Sequence, residues 1–150
     1  MNLKNNHGFT SADILISVVL LTIFIPTLFG IVYNVNKTNK DLTRKSRAVN
    51  IATQALEIAK TIDVQNFNLA ENDEFNIALG QKNYTLQQTS ETTAIYSYEG
   101  QDGEQYKVSI DLSYPNDEEN DLVKQIKVNV EYPIGNTTKT IEISTVLKSS

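Results

Sequence analysis

The chain has 150 residues, with 13 basic and 18 acidic side chains and a formal net charge of −5 at pH 7. This length fits one domain, or one small domain with a membrane element, and the absence of cysteine excludes disulfides and thiolate metal sites. The single histidine is His7, so no residue beyond it offers an imidazole, which excludes most familiar hydrolase sites and argues against an enzyme.

The amino-terminal motif is the most specific feature of the chain. Residues 8–15 read G-F-T-S-A-D-I-L and stand directly before a long apolar run. A carboxylate at the edge of an apolar span is costly, and it usually has a partner or a task. A glycine, then Phe9, then Asp13 four positions later resembles the signature of type IV pilins and pseudopilins, whose precursors are called prepilins. The resemblance covers roughly residues 1–62 and is most specific over residues 8–13.

The resemblance implies a processing pathway and a role for the acid. A prepilin peptidase would remove the leader, residues 1–8, after Gly8, and the new amino group of Phe9 would be methylated. Asp13 would form an assembly salt bridge with that amino group on a neighbouring subunit, an attraction that is strong where no water screens it. The family usually has glutamate there, so Asp13 keeps the charge and loses one methylene of reach. A pair within the same chain and a solvated aspartate at the helix start are the alternatives.

The apolar run has the length of a membrane span. Residues 14–33 contain no charged side chain, and as a helix they would be about 30 Å long, the thickness of bilayer hydrocarbon. No small-residue site comes after the run, so signal-peptidase cleavage fits less well. We assign residues 9–33 to a transmembrane or filament-core helix. Pro26 and Gly30 are expected to weaken it, with a simple kink in a membrane helix as the alternative.

Residues 34–62 continue as an amphipathic stem helix. The residues that recur every seven positions are Val35, Leu42, Val49 and Leu56. Alanines and isoleucines broaden this stripe, which predicts one helix over residues 9–62 whose second half packs on a globular head. A coiled-coil dimer is the alternative, and Thr38 and Lys45 at seam positions weaken it.

The charge distribution makes two predictions. The basic residues just after the apolar run are Lys37, Lys40, Arg44, Lys45 and Arg47. The positive-inside rule would place the stem and the head in the cytoplasm, whereas the prepilin resemblance places them outside. From residue 63 onward, six lysines face fifteen acidic residues. Such an acidic head argues against direct nucleic-acid binding, and we expect it to attract the basic stem of neighbouring copies.

After residue 63 the spacing of apolar residues changes from the 3.6-residue period of a helix to the two-residue period of a strand. The strand candidates are residues 75–79, 84–88, 94–98, 106–114, 126–132 and 141–146. The alternation of apolar and polar residues predicts a sheet with one face packed on the core and one face exposed to solvent, as in an antiparallel meander. We therefore predict an α+β fold: a long amino-terminal helix, membrane-embedded in its first half, packed on a carboxy-terminal antiparallel sheet head formed by residues 63–150.

Two groups in the head are candidate binding residues. Weak calcium candidates are Asp117, Glu118, Glu119 and Asp121; some pseudopilins bind calcium, but the spacing is not that of an EF-hand, and a solvated loop is the alternative. No other cofactor is expected. An exposed aromatic surface for a ligand would use Tyr96, Tyr98, Tyr106, Tyr114 and Tyr132, although strand tyrosines are more often half-buried.

The resemblance implies a structural subunit of a type IV pilus-like or type II secretion-like filament. The small head and Asp13 favour a minor pilin or pseudopilin, and nothing selects among adhesive, secretion and DNA-uptake systems. The implied partners are other pilin or pseudopilin subunits, the prepilin peptidase/methyltransferase, an inner-membrane assembly platform and the lipid bilayer. The head would be extracytoplasmic on a single-pass membrane protein that later enters a surface filament. The rival is a single-span, signal-anchored surface protein with a ligand-binding β-domain and an uncut leader.

Overall fold

The computed structural model describes residues 10–62, 67, 69, 73–100, 103–114 and 123–148. The elements are α1 (Ser11–Lys60), α2 (Asp73–Gly80), β1 (Tyr84–Thr89), β2 (Thr93–Glu99), β3 (Gln105–Ser113), β4 (Val123–Ile134) and β5 (Thr137–Lys148). The chain divides into two compact units, Met1–Lys40 and Asp41–Ser150, and α1 contributes to both. The predicted α+β architecture, a long helix packed on an antiparallel sheet, is confirmed.

The long helix α1 runs without interruption for 50 residues. Pro26 lies inside it and offers no N–H to the carbonyl of Thr22, so one hydrogen bond of the helix is lost there. The predicted helix over residues 9–62 is confirmed over residues 11–60, and residue 9 lies outside the described residues. The last turn is extended by the N–H of Thr61, which donates to the carbonyl of Ile58 at 3.0 Å.

The five strands form one antiparallel meander in chain order, β1-β2-β3-β4-β5. Gly135, with a φ of 57°, lies in the two-residue connection between β4 and β5, where such hairpins require positive φ. Pro133 is inside β4 but beyond Glu131, the last β4 residue paired with β3. Its missing N–H therefore interrupts no hydrogen bond to β3.

The sheet has one apolar and one polar face, as the alternation predicts. On β3 and β4 the buried residues are Tyr106, Val108, Ile110, Leu112, Ile126, Val128, Val130 and Tyr132. The register places Val108 opposite Val130 and Ile110 opposite Val128. On the other face, charged residues pair across strands: Lys107 lies 3.5 Å from Glu131, and Lys127 lies 3.3 Å from Glu142. Apolar contact on one side and solvated pairs on the other fix the register.

The part of α1 that packs on the sheet begins at Ala48. Its buried residues are Ala48, Ile51, Ala52, Ala55, Leu56 and Ala59. Four of these six residues are alanines, so the larger strand side chains supply most of the apolar volume of the core. Of the predicted heptad stripe only Leu56 is buried, whereas Leu42 is 58% exposed. Val35 and Val49 are also exposed.

One strand prediction is wrong, because residues 75–79 belong to helix α2 (Asp73–Gly80). Phe75 and Leu79 are fully buried, and Ile77 between them is 60% exposed. The buried pair is thus spaced i, i+4, which is a helical period. The apparent alternation over five residues fits both periods. Gly80 is the last residue of the helix, and the left-handed conformation that often follows a helix is taken by Asn83, with a φ of 68°.

Candidate functional site

The start of α1 is closed by a capping box that Thr10 and Asp13 form. The N–H of Thr10 donates to Oδ2 of Asp13 at 3.1 Å, and the Thr10 hydroxyl donates to the same oxygen at 2.9 Å. In return, the N–H of Asp13 donates to the Thr10 hydroxyl oxygen at 3.3 Å. These bonds satisfy groups that a helix start leaves without partners. Asp13 therefore caps its own helix, and its salt bridge to a neighbouring subunit stays a prediction.

The apolar segment, residues 14–33, is exposed along its whole length. Phe24 and Phe29 are 63% and 70% exposed. Apolar surface of this extent is usually covered by lipid or by other protein. Among the described residues, α1 is the helix that is long and apolar enough to cross a membrane.

Three hydroxyl groups within this segment, those of Ser17, Thr22 and Thr27, donate to carbonyls of the same helix. Ser17 donates to the carbonyl of Asp13 at 2.7 Å. Thr22 donates to the carbonyl of Val19 at 2.7 Å, and Thr27 donates to the carbonyl of Ile23 at 2.8 Å. In hydrocarbon each unsatisfied donor is costly, so these local bonds suit a segment without water around it.

The two residues that were expected to weaken the segment lie within continuous helix. Pro26 removes a backbone donor, and a Cβ at Gly30 would meet no atom within 4 Å. Glycine within a helix lowers its stability by roughly 1 kcal/mol relative to alanine. The two positions are one turn apart, so the predicted weakening falls on one short stretch of an otherwise regular helix.

Two of the stem's basic residues contact the head. Arg44 reaches Oε1 of Glu104 with Nε at 2.7 Å and Nη2 at 2.6 Å. The hydrogen bond to Glu104 raises the pKa of the Arg44 guanidinium. The hydroxyl of Tyr106 donates to Oε2 of the same carboxylate at 3.3 Å, and Arg47 hydrogen-bonds Tyr106. Sequence patterns do not reveal this cluster, because its members lie 60 residues apart and meet only in the fold.

A groove of about 300 Å³, with both polar and apolar walls, adjoins this cluster. The residues that line it are Arg47, Asn50, Ile51, Gln54, Tyr98 and Gly100. A Cβ at Gly100 would lie 3.3 Å from Cε2 of Tyr106, which is a tight contact, and 3.7 Å from Nη1 of Arg47, which is an ordinary one. One wall of the groove therefore forms where Gly100, directly after β2, lies close to Arg47 of α1.

The tyrosines form part of the core, so the exposed aromatic surface is wrong for most of its members. Tyr96, Tyr106 and Tyr132 are at most 3% exposed, and Tyr98 and Tyr114 are partly buried. Aromatic rings follow one another in the order Phe67, Phe75, Tyr96, Tyr84, Tyr98 and Tyr106, with neighbouring centroids 5.1–6.5 Å apart. Four of these five contacts are edge-to-face, and such contacts strengthen the core beyond the area they bury.

Burial changes the ionisation of two of these phenols. Burial raises the pKa of Tyr96 to about 12. The pKa of Tyr84 is also raised, by burial first and by Tyr98 second. The Tyr84 hydroxyl donates to the backbone carbonyl of Ile51 at 2.9 Å and so ties β1 to α1.

A buried lysine occupies an inward position of β4, where alternation alone predicts an apolar residue. Lys124 is 5% exposed, and its ammonium donates to the carbonyl of Phe67 at 3.1 Å. The hydroxyl of Thr89 donates to the carbonyl of Leu69 at 3.0 Å. These bonds hold Phe67 and Leu69 against the sheet, and no motif in the sequence signals either of them.

The remaining predicted site residues lie outside the described residues. These are Gly8 and Phe9 at the expected cleavage site, and Asp117, Glu118, Glu119 and Asp121 of the calcium candidate. Within the described part of the chain there is no group of three or more His, Cys, Asp or Glu side chains that could hold a metal ion.

Comparisons with known proteins add no relative. A scan against protein-family models, a search of curated proteins and a search of solved structures each found no match. The function is therefore inferred from the amino-terminal motif and from the geometry of α1 and the sheet.

Proposed function

We propose that this chain is a minor pilin or pseudopilin, a structural subunit of a type IV pilus-like or type II secretion-like filament. The observation that carries the proposal is the exposed apolar helical segment, residues 14–33, directly after the G-F-T-S-A-D motif. Such a segment needs hydrocarbon or apolar helices around it. A filament subunit uses both in turn, first in the bilayer and then in the filament core.

The proposal gives each part of the chain a role. Cleavage after Gly8 and N-methylation of Phe9 would create the mature amino terminus, and Asp13 would bind the amino group of a neighbouring copy. The subunit would be a single-pass membrane protein with an extracytoplasmic head until the assembly platform extracts it. The continuity of α1 from the apolar segment into the helix that packs on the sheet supports this division. The function requires no catalytic residue.

Intact-mass spectrometry of the protein from its native host tests the proposal directly. We expect a chain that begins at methylated Phe9, and we expect it in sheared surface or periplasmic filaments. A Gly8→Val variant should keep its leader and stay in the membrane, whereas a His7→Ala control should be cleaved normally. A native chain that still begins at Met1 would contradict the proposal and favour the signal-anchored, non-polymerising rival.

A further inference from the structure

Three residues form a stripe on α1 at the end of the apolar segment and just beyond it: Tyr33, Lys37 and Lys40. They are spaced i, i+4 and i+7, which places them on one face of a helix. All three are exposed, Tyr33 by 70%. Within the described residues neither lysine makes an ion pair. The stripe thus combines an aromatic ring with two ammonium groups that no described acidic residue neutralises.

The position of the stripe along the helix matches the headgroup layer of a bilayer. At 1.5 Å per residue, Lys37 lies about 6 Å and Lys40 about 10 Å beyond Tyr33 along the axis. The headgroup region adds about 5–7 Å to each side of the hydrocarbon. Helical side chains point toward the amino terminus, which here is the side of the apolar segment. The ammonium groups of Lys37 and Lys40 can therefore reach back into the headgroup layer.

The other basic residues of the stem differ in position or in partners. Arg44 is paired with Glu104, and Arg47 hydrogen-bonds Tyr106. Lys45 is exposed, but it lies about 18 Å beyond Tyr33 and at a different angle around the helix. Lys45 consequently serves as a matched control: it has the same charge on the same helix, beyond the headgroup layer.

We propose that Tyr33, Lys37 and Lys40 form a binding site for the phosphate groups of anionic phospholipids. The site rests on the proposed function, because it requires residues 14–33 to lie in a membrane. The Tyr33 ring takes the interfacial position typical of aromatic residues, and each lysine near a charged membrane surface strengthens binding about fivefold. The site would hold the subunit in the bilayer, since extraction into a filament must break these contacts.

A single tryptophan provides the test, because the natural chain contains none. The full chain with Tyr33→Trp is reconstituted into bilayers of phosphatidylglycerol and phosphatidylcholine in which one of the two lipids is brominated. Quenching of the tryptophan by each brominated lipid gives their relative binding constants. We expect phosphatidylglycerol to be preferred by about tenfold or more at low salt, and the preference to fall as salt is raised.

The variants separate the possible outcomes. Lys37→Gln with Lys40→Gln should reduce the preference toward unity, whereas Lys45→Gln should leave it unchanged. Equal quenching by both lipids would overturn the lipid site and leave the membrane placement standing, whereas quenching by neither would reject that placement and the site with it. An unchanged lipid preference in the double variant, with weaker self-association, would overturn the site and assign the lysines to a neighbouring copy.

Discussion

The contact between Arg44 and Glu104 is expected to contribute measurably to holding α1 on the sheet. Its atoms approach to 2.6 and 2.7 Å, and the two side chains are only 25% and 20% exposed. Fully exposed ion pairs contribute about 0.2–1 kcal/mol, and hydrogen bonds to charged groups about 1.5–3 kcal/mol. At this intermediate exposure we expect a coupling free energy of about 1–2 kcal/mol.

A double-mutant cycle measures that coupling. The variants are Arg44→Gln, Glu104→Gln and the double change, and the free energy of unfolding comes from urea titrations of the detergent-solubilised chain. The cycle removes the separate effects of each residue on its other neighbours. Lys107 and Glu131 provide the control: they are 3.5 Å apart, with side chains 53% and 39% exposed, and should couple by less than about 0.5 kcal/mol. A coupling for Arg44 and Glu104 no larger than that of the control would refute the reasoning.

The capping box, the buried phenols and the close contact at the β2–β3 turn each support a further prediction. Asp13→Asn keeps an acceptor for Thr10 and removes the negative charge. We expect filament incorporation, measured by immunoblots of sheared filaments, to fall by more than about tenfold with membrane insertion unchanged. Normal incorporation by this variant would assign Asp13 to capping alone. Burial raises the pKa of Tyr96 from 10.0 to about 12. Between pH 10 and 12 the folded protein therefore keeps a proton on this phenol that the unfolded chain releases. The free energy of unfolding should fall across this range by up to about 1.4 kcal/mol per pH unit for that phenol. Urea midpoints across this range check the slope, which Tyr96→Phe should reduce. Gly100→Ala places a Cβ 3.3 Å from the buried Tyr106 ring, and we expect it to destabilise the fold by about 1 kcal/mol. Gly80→Ala is the control, because a Cβ there would meet nothing within 4 Å. Equal melting temperatures for the two variants would contradict the packing argument.

Sequence patterns predicted the fold best where one period ran for many residues. β3 and β4 alternate over nine and twelve residues, and no helical register would bury the same set. The long helix is equally clear, because nothing from residue 34 to residue 61 breaks it. Residues 75–79 were misread because Phe75 and Leu79 satisfy both a two-residue and a four-residue spacing. Only the packing of both side chains in the core decides between the two periods.

The candidate site was predictable in part, because its contacts depend on both local and distant geometry. The T-S-A-D sequence at residues 10–13 is a recognisable capping signal, although the resemblance to prepilins points to assembly as the task of Asp13. The partner of Arg44 and the carbonyl bound by Lys124 could not be predicted. Both contacts join residues that are far apart in the sequence. They depend on how α1 and Phe67 are placed against the sheet, and no local sequence pattern contains that information.

The hydroxyls of Ser17, Thr22 and Thr27 have a consequence for how α1 tolerates a change of surroundings. Each is bonded to a carbonyl three or four residues earlier in the same helix, so none depends on an outside acceptor. In the proposed transfer from lipid to the side chains of other helices, these three groups would need neither to gain nor to lose a partner. The free energy of such a transfer would then depend mainly on shape and van der Waals contact, because α1 keeps these three hydroxyl groups hydrogen-bonded in either environment.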